Sequence, residues 1–236
     1  MVFPELLETI ASLKRPSGEV WFRGQTNADW ALTPRLLRSP AGVTHEKNML
    51  ARFRSRAMGI VPNHPTDNDP ARWMFLMQHH GLPTRLLDWT ESALAALYFA
   101  VSGSPSADGT LYVMAPMDLN QLQAGQPVLF SPYSPEIHEM LMASFKGTVM
   151  PNKTLAMMAY ASNDRIVRQQ GHFTMHGTTS DLRSIAHADW LKALRIPAAS
   201  KPEIKQQLAY FGVSQASLFH DLDSLATELR EQHSIS

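Results

Sequence analysis

In Gln78–Ala100, QHHGLPTRLLDWTESALAALYFA, side chains suited to burial are interleaved with side chains suited to chemistry. Gly81 and Pro83 punctuate a loop, and Leu86, Leu87 and Trp89 favour a short buried strand whose polar neighbours must find partners. Thr90-Glu91-Ser92 then precede an apolar helix, Ala93–Ala100, for which Thr90 or Asp88 is the expected N-cap. Arg85 beside a helix start is a candidate anion contact. A buried structural ion pair between Arg85 and Asp88 accounts for the same spacing equally well.

Upstream, Ala71–His79 is apolar on most sides, so it is expected to be a buried helix that delivers Gln78, His79 and His80 to the loop. In Gly18–Gln25, Val20 and Phe22 alternate with Trp21 and Arg23 as along a strand. Arg23 at the strand end suits a bidentate carboxylate or phosphate contact, and Gly24 permits close backbone approach. Asp29–Arg38 follows as an extended segment and turn that adds Arg35 and Arg38 to an anion-friendly cluster. Thr44–Met58 is expected as a helix with Met49, Leu50, Phe53 and Ala57 opposite Arg52, Arg54 and Arg56, a basic face read as solvated. Val61–Pro70 has loop composition, and a short amphipathic helix over Phe3–Leu13 opens the chain.

Downstream, Ser102–Asp108 is a loop and Gly109–Met114 a strand with strong β character. Met117–Tyr133 reads as irregular, Glu136–Phe145 as a helix and Thr154–Ala161 as a short apolar segment. Asp164–His176 reads as a turn, a strand, a Gln-Gln-Gly interruption and another strand, with His172 and His176 on one face as sheet-packing or surface residues. Leu191–Ile196 is a further strand, and Lys201–Phe211 and Ser214–Glu231 are helices around Gly212. The class is α+β: one domain over residues 1–236, with a mixed or antiparallel central sheet flanked by helices. A helical entry (about 1–15) and a helical C-terminal tail (about 201–232) complete it.

Composition narrows the functional classes. Zero net charge gives no global field toward nucleic acid or membrane. The absence of cysteine removes thiolate nucleophiles and disulfides. No segment approaches a membrane span and the N-terminus lacks a secretory pattern, so a cytoplasmic protein without membrane partners is expected. The methionines are read as core-filling residues.

Trp21-Phe22-Arg23-Gly24-Gln25, then Gln78–Thr90 with Ala96–Ala100, resemble the hallmark blocks of the FRG domain family, named for Phe-Arg-Gly. Arg165-Ile166 with Gln169-Gln170-Gly171 and Phe173 resembles its third block, and Phe211-Gly212 with Leu218–Asp223 resembles its ending. The order of an arginine on a first strand, Thr or Ser before an Ala-rich helix ending Tyr-Phe-Ala, and a polar residue before a late strand is similar to the arginine, serine and glutamate pattern of ADP-ribosyltransferases. That likeness implies a fold of the same type and an NAD-using transferase or toxin, including a phage-defence role, that modifies a protein or nucleic-acid acceptor. Its catalytic positions fall on Arg23, His79, Thr90 and Gln170; its NAD contacts fall on Arg23, Gly24, Gln25, His80, Arg85, Ser92 and Gln169.

The late block here carries glutamine where that pattern has glutamate. An amide hydrogen-bonds a ribose hydroxyl but supplies no negative charge. Either Asp88, Glu91 or Asp164 serves as the acid, or transfer is absent. Two further classes stay open: a non-catalytic nucleotide, phosphate or nucleic-acid binding module, and a hydrolase in which His79, His80 and Asp88 hold a metal or activate water. No metal is expected in the first two classes, and an antitoxin or immunity protein is the expected partner of a toxin.

Overall fold

Six strands form one antiparallel sheet in the order β4-β5-β2-β1-β3-β6. They are β1 (Trp21–Gln25), β2 (Leu86–Thr90), β3 (Gly109–Met114), β4 (Thr154–Met158), β5 (Gly171–His176) and β6 (Leu191–Ile196). The computed structural model describes residues 3–12, 18–159, 170–185, 188–219 and 221–233. Among these residues the helices are α1 (Phe3–Ser12), α2 (Pro40–Ala57), α3 (Pro70–His79), α4 (Ala93–Val101), α5 (Pro116–Ala124), α6 (Pro135–Lys146), α7 (Lys201–Tyr210), α8 (Gln215–Phe219) and α9 (Leu222–Gln232). None of them is long and apolar enough to cross a membrane. The α+β expectation holds, with the sheet antiparallel at every pairing. The expected strand over Arg165–Arg168 lies outside the described residues.

The two-residue side-chain period of the strands separates three cores. Trp21, Leu87, Trp89, Tyr112, Met114 and Ala156 pack on one face against Leu119 of α5, Leu32, Leu182 and Trp190. Their neighbours in sequence point the other way. Phe22, Leu111 and Val113 pack under α4, α7 and Leu218 of α8. Leu86, Leu155, Met157, Phe173 and Met175 pack under α3, α6 and Leu50 of α2. This face therefore carries two helical blocks side by side, one over each half of the sheet.

The halves meet at a weak seam. β1 pairs with β3 through five residues, from Trp21↔Met114 to Gln25↔Thr110, but with β2 only at Phe22↔Thr90. Past that contact the two strands part. Gly24 belongs to the packing on this side: a Cβ there would lie 1.9 Å from Ala96 O and 2.5 Å from Ala100 N, so only glycine lets α4 sit directly on β1.

Several boundaries differ from the sequence expectations for local reasons. α2 starts at Pro40 rather than at Thr44, because proline at the first helical position is already set for the helix. Met117–Tyr133 is not wholly irregular: Pro116 starts α5 and left-handed Gly125 (φ 72°) ends it. Asn120 of α5 bridges to the sheet, donating to Ala156 O (2.8 Å) and Val128 O (2.6 Å) and accepting from Ala156 N (2.8 Å). Ser214–Glu231 divides into α8 and α9.

Candidate functional site

The strand separation opens a cleft of about 430 Å³. Arg23, Gly24 and Gln25 of β1 form one lip, Asp88, Trp89 and Thr90 of β2 the other, and α3 and α4 wall it with Phe75, Gln78, His79, Ala96 and Phe99. Where a β1 backbone donor is missing, Arg23 Nη1 donates to Asp88 O at 2.7 Å, supplying a partner the ladder no longer provides. The same guanidinium lies 3.8 Å from the Asp88 carboxylate. Burial lowers the Arg23 pKa from its ordinary value, against the opposing pull of Asp88. Asp88 is held from its other side by Gln78 Nε2 at 3.1 and 3.2 Å, while Gln78 Oε1 accepts from Thr84 Oγ1 at 2.5 Å.

Buried polar atoms without partners concentrate here. Among the described residues Arg23 Nε, Gln25 Oε1, Ser102 Oγ and His172 Nδ1 are buried and make no hydrogen bond, and all four belong to residues lining the cleft. An orphaned buried polar atom costs about 1–3 kcal/mol, so a ligand that satisfies these groups recovers that cost on binding. Trp30, Phe75, Phe99 and Phe173 supply aromatic surface. A side pocket of about 190 Å³ shares Arg23, Arg38, Gln78 and Asp88 with the cleft and adds Arg35. Arg35 and Arg38 are oriented by carbonyls, Arg35 Nη1 by Gly81 O at 3.1 Å and Arg38 Nε by Thr33 O at 3.2 Å. The arrangement is a partly aromatic cleft joined to a three-arginine recess, chemistry suited to a ring system carrying an anionic group.

The expected site residues are thus divided. Arg23, Gly24, Gln25, His79 and Thr90 line the cleft. His80 does not: the two histidines meet edge to face at 4.9 Å, and His80 lines a groove along α2 instead. Arg85 is also elsewhere, buried against Glu46, with Nε at 2.8 and 2.9 Å and Nη2 at 2.7 Å from its carboxylate, while Nη1 donates to Gly177 O at 2.7 Å. Glu46, not Asp88, is its partner. Ser92 rather than Thr90 or Asp88 caps α4, accepting from Ala95 N at 3.2 Å, and Thr90 Oγ1 accepts from Ser92 N at 3.0 Å. Gln170 is exposed at φ 46°, outside the cleft lining, and its carbonyl accepts from Glu91 N at 3.1 Å. Gln169 and Asp164 lie outside the described residues.

Sequence reading missed several contributors. His172 reaches the cleft because β5 pairs with β2, and it stacks on Trp21 (4.5 Å, 1° between planes) with Nε2 at 2.6 Å from Glu91 Oε1. Glu19 completes a group whose possible ligand atoms lie within 4.8 Å of one another, and its carboxylate accepts from Trp21 Nε1 at 3.0 Å. Behind the cleft, buried Lys201 donates to Thr26 O (2.6 Å) and Ser104 O (3.0 Å), tying the segment after β1 to the segment after α4. Burial lowers the Lys201 pKa. The only advance signal for Lys201 was its place at the head of a helix.

Residues 18–109, which carry β1, both walls of the cleft and β2, match the family model of the FRG domain. The chain therefore contains an FRG domain, and the cleft is built mainly within it, with β5 contributing from outside the matched span. No curated protein and no solved structure matches the chain.

Proposed function

We propose that the cleft binds a nucleotide, with NAD as the substrate and transfer of ADP-ribose to a macromolecular acceptor as the reaction. The observation that carries the reading is the continuity of the partly aromatic cleft with the arginine recess through Arg23. In this reading a heterocycle lies against Phe75 and Phe99, ribose hydroxyls meet Gln25 Oε1 and Ser102 Oγ, and phosphates meet Arg23, Arg35 and Arg38. Transfer breaks the glycosidic C–N bond, the electron pair leaving with nicotinamide, and an acceptor oxygen or nitrogen bonds to the ribose carbon and gives up its proton. In this reading Asp88 is the carboxylate that offsets positive charge at that carbon, a role that the neutral Gln170, outside the cleft lining, cannot take. The chain then acts in the cytoplasm as a toxin or phage-defence effector restrained by an antitoxin or immunity partner.

A second reading, nucleotide binding without transfer, is favoured by one specific feature: Asp88 is already engaged by Gln78 and Arg23. Incubation with NAD and mixed protein and nucleic-acid acceptors separates the two. Nicotinamide release and a mass increment on the acceptor, both abolished by Asp88→Asn, support transfer; saturable NAD binding without release supports the binding module. The hydrolase reading has less support, because His80 lines the α2 groove while His79 and Asp88 line the cleft, and Asp88 is held by Gln78 and Arg23.

A further inference from the structure

A second, larger cavity lies beside the cleft: His80, which lines it, meets cleft-lining His79 at 4.9 Å, and Leu82 lines both it and the arginine recess. This second cavity is a groove of about 840 Å³ along α2, floored by Met49, Phe53, Ile60 and Leu82 and edged by Arg52 and Arg56. α2 turns Leu50 and Ala57 into the core, but its next apolar stripe, Met49 and Phe53 with Ile60 beyond the helix end, is left on the groove side. Ile60 is 77% exposed. The described residues lining this groove include two arginines and two histidines and no carboxylate. A soluble chain seldom leaves such an apolar surface uncovered unless something docks there.

At the other end of the chain, α9 shows the complementary surface. Leu222, Leu225 and Leu229 recur at helical spacing and are exposed, Leu222 by 82%. In sequence α9 has three acidic residues against one arginine, and Glu228 accepts from Ala216 N of α8 at 3.0 Å. Its leucine stripe is about 10 Å long and the facing stripe covers about 12 Å of α2, from Met49 to the helix end at Ala57, at 1.5 Å rise per residue, so the two stripes match in length. An acidic leucine helix and a basic apolar groove match in both hydrophobicity and sign of charge.

We propose that α9 of one chain docks in the α2 groove of a second copy, giving a self-association surface separate from the nucleotide cleft. Reciprocal docking closes a two-fold dimer, and one-way docking lengthens the assembly. Either form leaves both surfaces of the contact on every chain.

The test is sedimentation over a concentration series, using the 236-residue chain. Wild type should rise from its monomer mass of 26.4 kDa toward twice that value or beyond. Arg52→Glu with Ile60→Asp disables the groove, and Leu222→Asp with Leu225→Asp disables α9; both pairs alter exposed side chains, and circular dichroism melts verify that each variant is folded. Each variant alone should associate at least about tenfold more weakly than wild type. Mixed together, the two should form a heteromer, since the groove-disabled chain keeps its α9 and the α9-disabled chain keeps its groove. A wild type that stays monomeric at every concentration overturns the proposal. So does association lost with only one of the two variants, or a mixture that fails to recover it, as a contact between two α9 helices would produce.

Discussion

Replacing Arg85 by methionine tests whether this arginine belongs to the scaffold. Its guanidinium makes three hydrogen bonds to the Glu46 carboxylate and one to Gly177 O, all between 2.7 and 2.9 Å. Both side chains are almost sealed from water, at 5% and 8% exposure. Arg85→Met leaves a carboxylate and a carbonyl buried without their donor, a change that costs about 3–5 kcal/mol. That is a large fraction of the roughly 5–15 kcal/mol by which folded domains are stable. For a chain of this length it corresponds to a fall in melting temperature of about 6–20 °C. The double variant Glu46→Leu/Arg85→Met removes both charges, so it should regain most of the loss, because two apolar side chains tolerate the site that one lone charge does not. Urea unfolding with an unchanged m-value gives the free energies directly. A single variant within about 1 kcal/mol of wild type, or a double variant no more stable than Arg85→Met, refutes the reasoning.

Three shorter predictions use the same logic. Gly24→Ala forces a methyl into the backbone of α4 at 1.9 Å from Ala96 O; with the wall displaced, stability should drop by about 3 kcal/mol and cleft ligands should bind more weakly, whereas an unaltered melting curve contradicts the packing described. Burial lowers the His176 pKa to about 3, so the folded state resists the proton that the unfolded chain takes up below its ordinary value near 6.5. Stability is then unaffected by this group above pH 6.5 and falls as the pH drops below it, by about 2 kcal/mol between pH 7.5 and 5; His176→Phe should flatten that part of the pH profile, and an equal slope in the variant argues against it. Gln170→Gly suits the positive φ and removes only an exposed side chain, so ligand affinity should stay unchanged; a marked loss would return Gln170 to the site.

What could be read in advance was local. Arg23 beside Gly24, the apolar helix after Ser92 and the strand alternation of Trp21 and Phe22 follow from neighbours in the chain, and the structure places them as those neighbours suggest. What could not be read depended on residues far apart. Nothing near Arg85 announces that Glu46, 39 positions earlier and on α2, is its partner. His79 and His80 look like one pair in sequence, yet consecutive positions at a helix end point in different directions and serve different cavities. The cleft itself arises because β1 and β2 share a single register contact, a property of sheet geometry that no side-chain pattern encodes. His172 enters through the pairing of β5 with β2 for the same reason.

The central claim is that the parted strands β1 and β2 hold a nucleotide through Arg23 and its unpaired neighbours. Isothermal calorimetry with NAD on wild type, Arg23→Lys and Ser102→Ala tests it most directly. The account predicts saturable binding that weakens with added salt, falls more than about tenfold in Arg23→Lys and by about three- to tenfold in Ser102→Ala, where one hydrogen bond is lost. Absence of binding by wild type, or equal affinity in all three proteins, contradicts it.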